Sequence, residues 1–521
     1  MKRKLQYRVD KRIVEREISY IPARYIVAML ITVLEVVLII GVVFALCYFV
    51  PYFYIAAWLT QIGCVLRIVS SDDNPDYKVP WLLFVLVLPV AGFMLYFIFS
   101  SRTLKKKYVK RLEALKESRY RYDGSALHDA LAASDPVAAN QARLLCHIAE
   151  SHLFPAVGEE YFPVGEAMMV RLLEDLRAAR HFIYMEYFII EEGLFWDTIL
   201  AVLEEKAAAG VDVRVLYDDV GCMATLPGNY ARILQKKGIH ATGFSRLRGQ
   251  ADSEFNNRSH RKITVIDGRV AYTGGINIAD EYINAKQKLG HWKDTAMRFE
   301  GPAVLEMTRM FLVDYGINVK AEQMPDYDPY PTDHPCNGEG YMIPFGDGPA
   351  PLYSHRVGKT LLINMLAGAV SYAWFTTPYL IIDNELCGAL ASAALRGVDV
   401  RIVVPHIPDK RIVFAMTRSF YPRLLRAGVK IYEYEPGFVH AKSYLVDGKY
   451  AMIGTINMDY RSLVHHFENG VWLYRSAVIN DMRADMEDTL QKSIPVGEDM
   501  IKTNFLQKLF RAVVRIFSPL M

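Results

Sequence analysis

Two hydrophobic patterns divide the chain. Over the first hundred residues apolar positions run on with no polar face, at 26–50, at 52–69 after Pro51, and at 80–99. Helical runs of about 20 residues match the roughly 30 Å hydrocarbon core of a bilayer. From about residue 120 the apolar residues recur in short periodic blocks instead. Residues 168–179, 197–208 and 229–237 have helical spacing, and HFIYMEYFII (181–190), VDVRVLY (211–217) and a segment opening at Ile239 read as buried strands between them.

The same order then returns. Helices are expected over 361–369, 385–394 and 420–427, and strands over 373–380, 398–404 and 429–434. Gly-Val-Asp-Val-Arg stands at 210–214 and again at 397–401, at matching places in the two series. Alternating helix and strand predicts an α/β fold with sheets covered on both faces, here as two similar lobes. The expected organisation is a membrane anchor at 1–101, a basic helical connector at 102–150 and a first lobe at 151–320. A Pro-, Asp- and Tyr-rich linker at 321–340 follows, then a second lobe at 341–490 and an amphipathic tail at 491–521. In the tail Phe505, Leu509, Val513 and Ile516 share one helical face, and Lys508, Arg511 and Arg515 another. That suits an interfacial helix on anionic lipid, or a helix packed onto the second lobe.

Charge adds a topology. Basic residues precede the apolar block (Lys2, Arg3, Lys4, Arg8, Lys11, Arg12, Arg16, Arg24) and follow it (Arg102, Lys105, Lys106, Lys107, Lys110, Arg111), while Asp72, Asp73 and Asp76 lie inside it. The positive-inside rule puts both ends and the lobes in the cytoplasm and the acidic connector on the opposite side. An even number of crossings from three apolar runs leaves one run interfacial or re-entrant, and the short second run is the expected one. Glu35 is read as a bundle-facing group or an interface residue. Overall, 60 basic and 57 acidic residues leave a net charge of +3, which argues against bulk nucleic-acid binding. Six cysteines without CxxC spacing argue against zinc ribbons, Fe–S clusters and a disulfide framework, and for a reducing compartment.

The candidate chemistry also comes in two copies. In NNRSHRKITVIDGRVAYTGGINIADEY, His260, Lys262 and Asp267 form H-x-K-x4-D, with Asn277 further on. In FVHAKSYLVDGKYAMIGTINMDYRS, His440, Lys442 and Asp447 repeat it, Asn457 lies the same distance beyond, and Gly454-Thr455 matches Gly274-Gly275. Residues i and i+2 of a strand share a face, so each His projects with its Lys. An Asp-Gly turn closes a hairpin, and the return strand is expected to bring each Asn back near its own pair. Two such surfaces facing each other make one site. Lysines and amides suit the non-bridging oxygens of a phosphodiester. One imidazole can attack phosphorus and the other can move the proton, with no metal or other cofactor required. Asp267 and Asp447 count with the catalytic set as motif members, although their place at the turn favours a structural role. His128, His147 and His355 have no matched counterpart.

The paired motifs resemble those of the phospholipase D superfamily. Further segments resemble bacterial cardiolipin synthases: YFPVGE (161–166), EYFII (186–190), LYDDVG (216–221), HWKDT (291–295), TTPYLI (376–381) and PDKRIV (408–413). The resemblance implies transfer of a phosphatidyl group between two phosphatidylglycerol molecules through a phosphohistidine, giving cardiolipin and glycerol. Hydrolysis, or transfer to another alcohol, is the alternative. It implies a multi-pass protein of the bacterial plasma membrane whose partners are phosphatidylglycerol and other anionic lipid, not nucleic acid, with the oligomeric state open. It further implies His260 as nucleophile, His440 as acid and base, and Asn277 and Asn457 as phosphate-binding residues. Glu468 matches the family's histidine-orienting glutamate, and Asp294 is expected in the equivalent role in the first lobe. Many relatives carry Asn where this chain has His466, so a tuned contact is expected there.

Overall fold

A computed structural model describes residues 2–9, 12–19, 23–49, 51–100, 109, 122–245, 257–325, 338–502, 504–516 and 518. Most of the basic stretch at 102–121 and the middle of the linker, 326–337, lie outside the described residues.

In the first lobe seven strands form one mixed sheet. Phe182–Tyr187 is central, with Asp212–Asp218 and then His240–Phe244 parallel on one side. On the other side an antiparallel ladder runs through Lys262–Ile266, Val270–Gly274, Ala296–Glu300 and Glu160–Phe162. The second lobe repeats this order around Tyr372–Thr376. Asp399–Pro405 and Lys430–Tyr434 lie parallel on one side, and Ser443–Val446, Tyr450–Gly454, Glu468–Tyr474 and Tyr341–Asp347 antiparallel on the other. The sequence repeat is thus a repeat of topology.

Every position of Phe182–Tyr187 is buried, because both faces of the sheet are covered. Ile183, Met185 and Tyr187 pack under the first lobe's own helices. Phe182 and Tyr184 face a core shared with the second lobe, where Leu445, Ile453 and Val471 meet residues of the helices Val304–Asn318 and Val478–Gln491. The two sheets therefore join through their inner faces.

Two boundaries differ from expectation. Helices Ser125–Ser134 and Pro136–Ala149 belong to the second lobe and do not bridge the anchor to the first. Gln141 accepts from Trp472 Nε1 at 2.7 Å, Asp135 accepts from the Tyr474 hydroxyl at 2.9 Å, and Phe154–Pro155 extends the second sheet. The apolar face carrying Leu131, Ala138 and Leu145 is what that lobe covers. At the opposite sheet edge Ser493–Pro495 pairs with Lys430–Tyr434. The C-terminal helix Phe505–Ile516 then lies on the helix Arg411–Arg426, burying Val514 while Phe505, Leu506, Leu509 and Phe510 stay exposed.

Near the N-terminus, strands Lys2–Val9 and Arg12–Ser19 form a hairpin. Four helices follow: α1 (Ala23–Phe49), α2 (Pro51–Ser70), α3 (Pro75–Val87) and α4 (Pro89–Phe99). Among the described residues only α1, over Met29–Leu46, is long and apolar enough to cross a membrane, by length and composition. Glu35 is half-buried on it. The third apolar run folds back on itself. The Trp81 and Tyr96 rings lie 5.5 Å apart, where a straight helix would separate them by about 22 Å. Leu88 leaves the helical region, Pro89 starts the next helix, and a Cβ on Gly92 would sit 2.2 Å from the Phe84 carbonyl oxygen. The third run is thus broken in two, while α2 is one unbroken helix.

The acidic connector is also corrected. Asn74 Nδ2 donates to Asp383 Oδ2 at 2.9 Å, and the Asn384 N–H donates to Asp76 Oδ2 at 2.6 Å. Tyr77 and His465 pair at 3.2 Å. The connector therefore sits against the second lobe and shares its side of any bilayer. Asp76 serves the N-terminus of the helix Asn384–Leu395, where a negative charge is favoured.

Candidate active site

Both H-x-K-x4-D motifs fold as hairpins with a two-residue turn. Asp267 and Gly268 have φ 53° and 63°, and Asp447 and Gly448 have 54° and 65°, the pattern of the tight hairpin turn that Asp-Gly favours. The Asp267 carboxylate accepts from the N–H groups of Arg180, His181 and Phe182 at 2.8, 2.7 and 2.8 Å. Asp447 does the same for Val370, Ser371 and Tyr372 at 2.8, 2.7 and 2.9 Å. Each aspartate ties its hairpin to the start of the central strand, about 20 Å of extended chain from the motif histidine. Counting them with the catalytic set is corrected on this geometry: they belong to the scaffold.

At the other end of each hairpin the lobes meet. The His260 N–H donates to the Phe467 carbonyl at 2.8 Å, and the His440 N–H to the Lys293 carbonyl at 2.7 Å. Strand His291–Lys293 runs parallel to Gly437–Val439, and Ser259 bridges Phe467 in the same sense. In each case the next residue of the partner segment carries a carboxylate. His260 Nδ1 lies 3.0 Å from both oxygens of Glu468, and His440 Nδ1 lies 2.6 Å from Asp294 Oδ2. The pairs are crossed: Glu468 of the second lobe contacts the first-lobe histidine, and Asp294 of the first lobe contacts the second-lobe histidine. Lys262 Nζ donates to the His260 carbonyl at 2.7 Å. Lys442 Nζ contacts the His440 carbonyl and lies 2.8 Å from its Nδ1. All six side chains are buried.

Burial of that much charge shapes every proton equilibrium. Burial drives His260 down to about 3 against the pull of Glu468, with Lys262 adding to the downward push. Its imidazole rests neutral, and an Nδ1–H given to Glu468 leaves Nε2 with a lone pair. Burial works upward on Glu468, yet its contacts with His260 and His466 hold it well below the usual carboxylate range. Burial lowers Lys262 to about 7, opposed by Glu468 and reinforced by Lys442. Lys442 falls to about 8, by burial against Asp294. His440 lies well below its ordinary value through burial, Lys442 and Lys262. Asp294 is raised to about 7 by burial, with Lys442 opposing. Lys442 acts on Lys262, both lysines act on His440, and both carboxylates act on both lysines, so the two motifs form one electrostatic cluster.

The two asparagines differ in their surroundings. Asn277 accepts from the Ile189 N–H at 3.0 Å and donates to the Tyr282 hydroxyl at 2.8 Å, so its amide is already engaged. Asn457 is buried with Oδ1 unpartnered. Three contributors were given no role in the sequence reading. Thr455 and Ser462 both donate hydroxyls to Glu468. At the position matched to Thr455, Gly275 leaves room for Asp294, whose Oδ1 would lie 2.0 Å from a Cβ there. The Gly275/Thr455 mismatch was the visible signal. His466 Nδ1 stands 3.8 Å from Glu468 Oε1, and its ring 5.6 Å from that of His260. His260, His466 and Glu468 bring donor atoms within 4.8 Å of one another, a set able to hold a metal ion. Glu468 in that set already receives His260, Thr455 and Ser462.

Known proteins resemble this chain in sequence and fold. Residues 172–295 and 362–490 match the family described as cardiolipin synthase, PLD-like domain, and residues 61–100 match the phospholipase D–nuclease N-terminal family. An uncharacterised protein of Streptococcus mutans is 41% identical over 88% of this chain and its own whole length. Cardiolipin synthases of Halalkalibacterium halodurans and Geobacillus sp. are 32% and 34% identical, over 90% and 87% of this chain and 94% and 91% of theirs. Among solved structures, the phosphatidylserine synthase of Haemophilus influenzae superposes with a TM-score of 0.56 at 14% identity, over 73% of this chain and all of its own, which speaks to the fold alone. With both lobes and the N-terminal segment matched, the chain belongs to the cardiolipin synthase family, phosphatidyltransferases built from paired phospholipase D-like lobes.

Proposed function

We propose that the crossed His–carboxylate pairs form one site that transfers a phosphatidyl group from one phosphatidylglycerol to another. The observation that carries this reading is the match of Glu468 to His260 and of Asp294 to His440 across the lobe boundary. His260 Nε2 attacks phosphorus as the bond from phosphorus to the glycerol oxygen breaks, and His440 gives that oxygen its proton from Nε2 while Nδ1 takes up the proton that Asp294, raised to about 7, holds beside it. A hydroxyl of the second phosphatidylglycerol then loses its proton to His440 and attacks phosphorus. The N–P bond breaks, and cardiolipin and glycerol leave. Diester replaces diester, so no external energy source is needed. Lys262 and Lys442 stabilise the charge that grows on the non-bridging oxygens. Glu468 stabilises the His260 imidazolium character that develops on attack. The lobes face the cytoplasm in this reading, the side on which the basic flanks lie.

The experiment is turnover of labelled phosphatidylglycerol in detergent–lipid micelles, with an alkaline quench to preserve a phosphohistidine. Wild type is expected to give cardiolipin plus glycerol, and His260→Ala neither product nor labelled protein. His440→Ala is expected to accumulate labelled protein from a donor whose leaving group needs no acid, such as phosphatidyl-p-nitrophenol. Phosphatidic acid as the sole product would replace this reading with hydrolysis.

A further inference from the structure

The C-terminal helix Phe505–Ile516 and the helix Arg411–Arg426 enclose a cleft of about 600 Å³. Lys502, Lys508, Arg511 and Arg515 line it, and a smaller adjoining cavity of about 340 Å³ shares Lys502 and Arg511 and adds Arg411 and Arg418. Asp499 pairs with Lys502, and Glu433 holds Arg418 through two bonds at 3.0 and 2.7 Å. Among the described residues Lys508, Arg511 and Arg411 have no acidic partner. Burial and the neighbouring Arg418 both push Arg511 down, the response of a cation packed against another cation. No such cluster is needed for the chemistry above.

Two further observations say what fits there. Phe505 and Leu506 on the same helix are 77% and 71% exposed, and Leu509 and Phe510 are exposed beside them. Arg515, which lines the cleft, and Asp76 of the docked connector both act on Tyr460 and Cys387, so one end of the cleft lies near the segment that joins the apolar N-terminal helices. Cations set beside an exposed apolar face, next to a bilayer, match a ligand with a phosphate head and acyl chains.

We propose that this cleft is a second, non-catalytic site for the phosphate head group of an anionic glycerophospholipid from the membrane that anchors the chain. The phosphate supplies the counter-charge that Lys508 and Arg511 lack, and the acyl chains run along the Phe505–Phe510 face. The site holds the second lobe on anionic membrane, whatever alcohol accepts the phosphatidyl group.

Hydrogen–deuterium exchange on the full-length protein tests this, in a His260→Ala background so that lipid is not consumed. The probes are phosphatidylglycerol micelles, phosphatidylcholine micelles and inorganic phosphate. Phosphatidylglycerol is expected to slow exchange over 505–516 and 411–426. The Lys508→Gln/Arg511→Gln double variant should need on the order of tenfold more lipid for the same protection, while the charge-preserving Lys508→Arg/Arg511→Lys pair keeps it. Equal protection by phosphatidylcholine, full protection by inorganic phosphate alone, no protection, or undiminished protection in the double variant would each overturn the proposal.

Discussion

The backbone N–H of His440 donates to the carbonyl of Lys293 at 2.7 Å, and Asp294, the next residue, reaches Nδ1 of the same histidine. His260 stands in the same relation to Phe467 and Glu468. Each imidazole is thus gripped at two points, main chain and ring, by consecutive residues of the other lobe. Two-point support of this kind fixes the ring plane and the tautomer together. Lys293 is itself held by Asp485 at 2.6 and 2.7 Å, and Thr295 and Ser443 pair at 3.0 Å alongside.

Replacing Glu468 by Gln should keep the shape and remove the charge that supports an imidazolium. We expect kcat to fall on the order of 10³-fold with KM little changed, the pattern of a tautomer and charge lost from a buried histidine pair. Thr455→Val and Ser462→Ala each remove one hydroxyl from the same carboxylate and should cost less. His466 stands 3.8 Å from Glu468, longer than a hydrogen bond, so His466→Asn should change the rate by less than about tenfold. Steady-state kinetics on the four variants ranks them.

Asp447→Ala separates scaffold from chemistry. The change leaves three N–H groups without their acceptor, and we expect a loss of about 2–4 kcal/mol in stability. The activity per folded molecule should stay within about twofold. Thermal unfolding read beside active-site titration checks this, and a folded but inactive Asp447→Ala would return the aspartate to the catalytic set.

Activity and stability should respond to alkali in opposite directions. Lys262 and Lys442, at about 7 and about 8, lose their protons above those values, so kcat/KM should fall as the pH rises past about 8. In the unfolded chain both return toward 10.5. Between about 8 and 10.5 the unfolded state therefore binds more protons, and each lysine adds up to about 1.4 kcal/mol of stability per pH unit. Asp294 acts on a lower window. It is raised from 3.8 to about 7, so its contribution is present at low pH and is lost as the pH rises to about 7. A pH–rate profile and a pH series of unfolding temperatures supply both curves.

The docked connector fixes a sidedness. Asp72 is exposed beside Asn74 and Asp76. A cysteine placed there should react with an impermeant maleimide from the same side of sealed vesicles as one at exposed Lys236 in the first lobe. Labelling from opposite sides would undo the docking.

What the sequence made readable was local. The hairpins, the shared face of His260 and Lys262, and the two series of helices and strands all rest on spacings within a few residues. The crossed carboxylates do not. Asp294 and Glu468 lie far along the chain from the histidines they contact, and nothing in HWKDT or in the residues around 468 points to the opposite lobe. The third apolar run failed for another reason: a run of apolar residues reads the same whether straight or folded. Its signals, Pro89 and the close approach at Gly92, were present but are not features of hydropathy. Residues 125–149 were misplaced because amphipathic periodicity shows that a helix covers something, not what it covers.

The exchange of carboxylates between lobes has a consequence for the chain as it is made. The first lobe leaves the ribosome with His260 and Lys262 in hand but without Glu468, Thr455 or Ser462, and Asp294 waits for a histidine not yet synthesised. A nascent or truncated chain therefore holds neither complete His–carboxylate pair until its last third has docked. Each lobe holds the carboxylate that the other lobe's histidine contacts.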